Sequence, residues 1–126
     1  MLIADTNVIL RYLLNDDEKL SYQATQIIEN NTINVPITIA CEIVFVLQKV
    51  YELDRENIRD ILATLVESEI VFIERSDLFL NALDHYRQTR LDFVDCLLWA
   101  YKEIDQVTVF TFDKKLNKYI DGELIT

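Results

Sequence analysis

Glycine, proline and histidine each occur once in the 126 residues, and cysteine twice. With Gly122 as the only glycine, neither a G-x-G-x-x-G dinucleotide loop nor a phosphate-binding P-loop can be built, since each needs more than one. Cys41 and Cys96 form no C-x-x-C pair and His85 stands alone, so no disulfide framework and no zinc site is expected. Reduced thiols in a reducing compartment follow. Positive charge is scarce: 12 Lys and Arg against 22 Asp and Glu give a net charge of −10. A basic face over the whole molecule is thereby excluded, and attraction to nucleic acid has to be local or metal-mediated. Long apolar runs are missing too. The longest uncharged stretch, between Glu29 and Glu42, falls well short of the roughly 20 apolar residues of a membrane span. MLIADTNVIL has no basic region and Asp5 interrupts its apolar run, so no signal peptide is read and a cytoplasmic protein without membrane attachment is expected.

What is present is a globular mixture of 51% hydrophobic and 27% charged residues, at a length that suits one domain over residues 1–126. Residues 2–4 read as a buried strand closed by Asp5, and Thr6 is placed to cap a helix carrying Val8, Ile9, Tyr12 and Leu13. Asp16 or Asp17 starts a second helix, and residues 33–35 form a second strand ended by Pro36. Thr38 offers a cap for an apolar helix over 39–51, and Asp54 for the next. Residues 70–73 are β-branched and aromatic, a third strand. Ser76 and Asp92 cap two further helices, the latter over 93–104. A fourth strand is expected at 107–110, a short helix from Asp113, and a last strand at 123–125. Strands alternating with helices, without tight hairpins, predict an α/β fold: a three-layer α/β/α sandwich with a central, mainly parallel sheet. Ligands in such sheets bind beyond the carboxyl ends of the strands.

Four acids fall at those places. Asp5 follows the first strand and Asp113 the fourth. Each also suits a helix N-cap, where a carboxylate accepts backbone N–H groups. Glu42 sits in a helix that continues Ile43, Val44, Phe45, Val46, Leu47, which predicts burial, and no Lys or Arg lies three or four residues away. Such a carboxylate needs a partner, either a distant arginine or a shared cation. Asp92 and Asp95, three apart at a helix start, fit a capping box or a ligand pair. Together, Asp5, Glu42, Asp95 and Asp113 would repel one another unless protonated or neutralised. An oxygen-only set suits Mg²⁺ or Mn²⁺. Local positive charge is available at Lys114, Lys115 and Lys118 after Asp113, and at Arg11 after Asp5. Either these contact RNA or they are ordinary solvated side chains. His85 lies apart in sequence from the segments that carry these acids and reads as a partly exposed residue, not a general base. Cys41 and Cys96 read as packing residues, and Tyr12, Phe45, Tyr51, Phe79 and Tyr86 as mostly core.

ADTNVILRYLL, ITIACEIVFVL, LDFVDCLLWA and VFTFDKKL, in this order, resemble the acidic motifs of the PIN domain, and among its members the VapC-type toxins of toxin–antitoxin pairs. The resemblance runs from Leu2 to about Leu116. It implies a Mg²⁺- or Mn²⁺-dependent endoribonuclease with Asp5, Glu42, Asp95 and Asp113 as its acidic centre, Asp5 and Asp95 being the main metal ligands. It further implies that Asn7 helps hold the first and third acids, that Thr111 is a hydroxyl near the last, and that Asp92 is an accompanying acid. A cognate antitoxin and a homodimer are implied as partners. Metal-activated water would cut RNA to a 5′-phosphate and a 3′-hydroxyl without a protein nucleophile. The chain departs from many members after the last acid, where it reads TFDKKLNK instead of an Asn- or Gly-containing segment.

Four other readings compete, among them a non-catalytic binding domain on the same fold, which the presence of all four acids opposes. A PIN-domain nuclease of RNA maturation carries the same motifs and differs in lacking a neighbouring antitoxin. A receiver-like signalling domain wants paired acids after the first strand and an acceptor Asp after the third, where this chain has a single Asp5 and Glu74-Arg75-Ser76. A D-x-D phosphatase is opposed by Asn7 in place of the second Asp.

Overall fold

Short local signals set most of the helix starts. The computed structural model describes residues 1–121 and the backbone of residues 123 and 124. The chain divides into two compact units, Met1–Ser76 and Asp77–Thr126. The first contains β1 (Leu2–Ile3), α1 (Thr6–Leu14), α2 (Glu18–Glu29), β2 (Ile33–Val35), α3 (Ile37–Lys49), α4 (Arg55–Glu67) and β3 (Val71–Ile73). The side chains of Asp5, Asp17 and Asp54 accept backbone N–H groups from Val8 at 3.1 Å, Leu20 at 3.0 Å and Asn57 at 2.8 Å. Each such cap contributes about 1 kcal/mol to its helix. At α1 the cap is Asp5, one residue earlier than the Thr6 expected, and Thr6 is the first helical residue and buried.

The three strands form a parallel sheet in the order β1-β2-β3, with Leu2 opposite Ile33 and Ile33 opposite Val71. Successive strand residues point to opposite faces. Accordingly Ile33, Val35, Val71 and Ile73 are buried while Phe72 is exposed. Ile9, Leu10, Ala24, Ile28, Ala40, Ile43, Val44, Leu47, Ile58 and Leu62 complete this unit's core. Helix α3 starts at Ile37, two residues before the expected 39, with Pro36 and not Thr38 in the cap position. Pro36 can bond no N–H through its side chain, and the Ile37 N–H goes instead to Glu74 Oε1 at 3.3 Å, just past β3.

The second unit contains α5 (Ser76–Gln88, whose first residue ends the first unit), α6 (Phe93–Asp105), β4 (Phe110–Thr111), α7 (Lys114–Ile120) and β5 (Glu123–Leu124). Its core centres on Phe93, whose ring meets Phe79 and Tyr86 edge-on at 5.5 and 5.7 Å, a geometry set by the quadrupoles of the rings. Cys96, Leu97, Ala100, Leu116 and Ile120 are buried in the same unit. β4 and β5 pair in parallel, Phe110 opposite Glu123 and Thr111 opposite Leu124. The fourth strand thus lies later than the expected 107–110, because the ladder forms only where β5 supplies a partner. Of the expected 123–125 strand, Glu123 and Leu124 are paired and residue 125 lies outside the described residues.

With a single glycine available, the chain turns at other residues. Asn15, Glu52, Glu69, Arg75, Gln106 and Asp121 all have φ between 49° and 59°. Asn15, Gln106 and Asp121 are the left-handed C-caps of α1, α6 and α7. No helix among the described residues is long and apolar enough to cross a membrane.

Candidate functional site

In the second unit, a recess of about 390 Å³ is lined by three carboxylates, Asp92, Asp95 and Asp113, and by three cations, Arg90, Lys115 and Lys118, with Leu91 and Tyr119. Asp92 and Asp95 come from the start of α6, Asp113 from the start of α7. Asp92 takes the N-cap position of α6, yet its side chain makes no cap hydrogen bond, so the capping-box alternative is not realised. Asp95 is half-buried in the first turn of α6. Burial pushes its pKa up, and the negative charges of Asp113 and then Asp92 push the same way. The Asp95 carboxylate is therefore charged at a cost.

Asp113 combines two roles. Its Oδ1 accepts the N–H groups of Lys115 at 2.8 Å and Leu116 at 3.3 Å, capping α7, and its own N–H donates to Thr111 Oγ1 at 2.9 Å. The cap uses Oδ1, and Oδ2 takes no part in it. Thr111, expected near the last acid, thus holds the backbone of that acid in place.

The other expected residues belong to the first unit. Asp5 is exposed and caps α1 through Oδ1. Asn7 is exposed in the first turn of α1 and lines a shallow recess with Arg11 and Gln23. Glu42 is exposed, contrary to the burial expected of it. Helix α3 buries Ala40, Ile43, Val44 and Leu47 on one side and presents Glu42, Phe45 and Lys49 on an outer stripe at helical spacing. Phe45, expected in the core, is 58% exposed on that stripe. Its uncharged sequence neighbours hid the stripe, and the argument that Glu42 must have a buried partner falls with its burial.

Arg11 Nη1 is 3.0 Å from Asp16 Oδ1, whose other oxygen accepts the Tyr51 hydroxyl at 3.1 Å. Partial burial works to raise the Asp16 pKa, but the hydrogen bonds from Arg11 and Tyr51 outweigh it and the carboxyl lies below its usual value. The lysines divide: Lys115 and Lys118 line the acidic recess, whereas exposed Lys114 is not part of its lining. His85 is partly exposed, as expected, and stacks on Trp99. Cys96 is buried, its Sγ donating to the Leu91 carbonyl at 3.9 Å, and Cys41 is partly buried; neither belongs to a disulfide among the described residues.

The sequence reading did not include Arg90 and Tyr119. Their signal was positional only: Arg90 precedes Asp92 by two residues and Tyr119 directly follows Lys118.

Among the described residues no three His, Cys, Asp or Glu side chains are gathered closely enough to hold a metal ion alone. Mg²⁺ does not require that, because it is commonly held by one or two carboxylates, with water and substrate phosphate completing the shell. The mutual repulsion at Asp95 is what a hard divalent cation would relieve, so the donor set fits such an ion.

A model of the PIN domain family matches residues 2–121, and the chain belongs to that family. It is also similar to a VapC ribonuclease of Aquifex aeolicus (strain VF5), with 28% identity over 102 residues that cover 77% of this chain and 75% of the relative.

Proposed function

We propose that the chain is a Mg²⁺- or Mn²⁺-dependent endoribonuclease and the toxin of a toxin–antitoxin pair. The observation that carries this is the recess in which Asp95, its pKa raised by burial and then by Asp113 and Asp92, shares the lining with Arg90, Lys115 and Lys118. Carboxylates suited to a divalent cation and cations suited to phosphate share one small space. Family membership and the likeness to a VapC ribonuclease support the same reading.

In this reading Asp95 and Asp113 hold the metal, and Asp92 adds negative charge beside them. The bound ion supplies an activated water and stabilises charge on the phosphoryl group. Lys115 and Lys118 draw the RNA backbone toward the acids, and Thr111 fixes Asp113. Asp5 and Glu42 are the remaining acids of the motif set, and Asn7 stands two residues after Asp5. An antitoxin would bind the chain and hold it inactive, in the cytoplasm. Exposed Phe45 on α3, and Val94 and Leu98 on α6, are apolar area that a homodimer would cover.

The test is cleavage of labelled RNA with Mg²⁺, Mn²⁺ or EDTA, by the wild type and by Asp5→Ala, Glu42→Ala, Asp95→Ala and Asp113→Ala. Metal-dependent cutting that drops by at least about 10²-fold in Asp95→Ala is expected, from loss of a group that stabilises transition-state charge. Equal cutting by Asp95→Ala and wild type would remove the assignment.

A further inference from the structure

Three rings stand in series beside the acidic recess. His85 of α5 stacks on Trp99 of α6, with centroids 3.6 Å apart and planes 7° from parallel. Trp99 in turn meets Tyr119 of α7 at 5.0 Å and 29°. At the far end of the series, Glu103 Oε1 lies 2.6 Å from His85 Nε2, close but not aligned as a hydrogen bond. Tyr119 is the last ring, 49% exposed, and it lines the recess with Asp95, Asp113, Lys115 and Lys118.

A tyrosine kept only for packing would gain by burying its ring. Tyr119 instead rests on Trp99 and leaves about half its surface to solvent, next to phosphate-seeking lysines. A ring held from behind loses little freedom when another flat ring lies on it, and base–aromatic stacking is tolerant of base identity. Bases in a duplex already stack on one another, whereas unpaired bases can be splayed onto an aromatic side chain. We infer that Tyr119, backed by Trp99 and His85, is a platform for one unpaired nucleobase of a single-stranded RNA whose neighbouring phosphate is gripped by Lys115 and Lys118. Tyr119 is then a positioning residue that selects single-stranded over paired substrate. This rests on the nuclease reading of the recess.

Trp99 is the chain's single tryptophan, so its fluorescence reports on the stack directly. The experiment titrates the full chain in EDTA with short single-stranded oligoadenylate, and separately with an RNA hairpin closed by a non-nucleotide linker, so that all its bases are paired. A saturable change in Trp99 emission with oligoadenylate and little with the hairpin is expected. Tyr119→Phe should bind as the wild type does, and Tyr119→Leu at least about five-fold more weakly, from the loss of one stacked base. Wild-type affinity in Tyr119→Leu, equal responses to hairpin and single strand, or no response to RNA would overturn the platform. If Tyr119→Leu does not fold, the wild type decides: Tyr119 ring protons should shift upfield as oligoadenylate binds, and unmoved shifts overturn the inference. Parallel cleavage assays in Mg²⁺ separate the two readings. Stacking without cutting removes the nuclease and keeps the platform, while cutting without a Trp99 response does the reverse.

Discussion

Asp95 is where stability and chemistry oppose each other at the scale of one residue. Burial, then Asp113 and Asp92, disfavour its charged form. A carboxyl whose pKa is higher folded than unfolded weakens the fold at neutral pH, and that penalty fades as pH falls through the folded pKa. Without metal, Asp95→Asn should therefore melt at a higher temperature than wild type at pH 7, with the gap narrowing as the solution is acidified. Scanning calorimetry in EDTA over a pH series checks this. Added Mg²⁺ should then raise the wild-type melting temperature and not that of the variant, because binding to the native state alone stabilises it. A variant less stable than wild type at pH 7 in EDTA would mean that Asp95 is a structural residue.

At the scale of elements, the helix ends show what can be read locally. Asp54, and Asp17 as one of two adjacent candidates with Asp16, were legible as caps because the bond runs only three residues along the chain. The start of α3 was not, since its first N–H is held by Glu74, 37 positions away. β4 was displaced for a related reason: a two-residue ladder is placed by its partner and not by its own composition. The C-caps carry a prediction. Gln106 ends α6 with φ 55°, a conformation that costs a residue with a Cβ about 1–2 kcal/mol, while glycine adopts it freely. Gln106→Gly should stabilise the chain by about 0.5–1 kcal/mol after the greater freedom of the unfolded glycine is set against it. Lys102→Gly, inside the same helix, should lose about 1 kcal/mol. Urea midpoints for the two variants should move in opposite directions.

For the whole molecule, the proposed RNA binding depends, at a net charge of −10, on where the few cations stand. Asp92, Asp95 and Asp113 were legible as candidates because each sits at the start of a helix, where capping residues and ligands share the same signature. The basic side of the recess was harder to read, because Arg90, Lys115, Lys118 and Tyr119 follow no period and come together only when separate segments fold. Lys114 and Lys115 are equivalent in sequence and different in place. Each phosphate contact on a single strand adds about 0.7 to the steepness of log affinity against log salt. Lys115→Ala and Lys118→Ala should each flatten that slope by about this much, and Lys114→Ala should leave it nearly unchanged. Filter binding across a salt series in EDTA distinguishes the three, and a uniform effect would mean that α7 acts only through its overall charge.

The bond from Ile37 to Glu74 has one more consequence, for how the first unit comes apart. Proteins open locally in cooperative units of differing stability. Lifting β3 away from β2 carries Glu74 with it and releases the first N–H of α3. Detachment of β3 therefore also loosens the head of α3, although all of α4 lies between them along the chain.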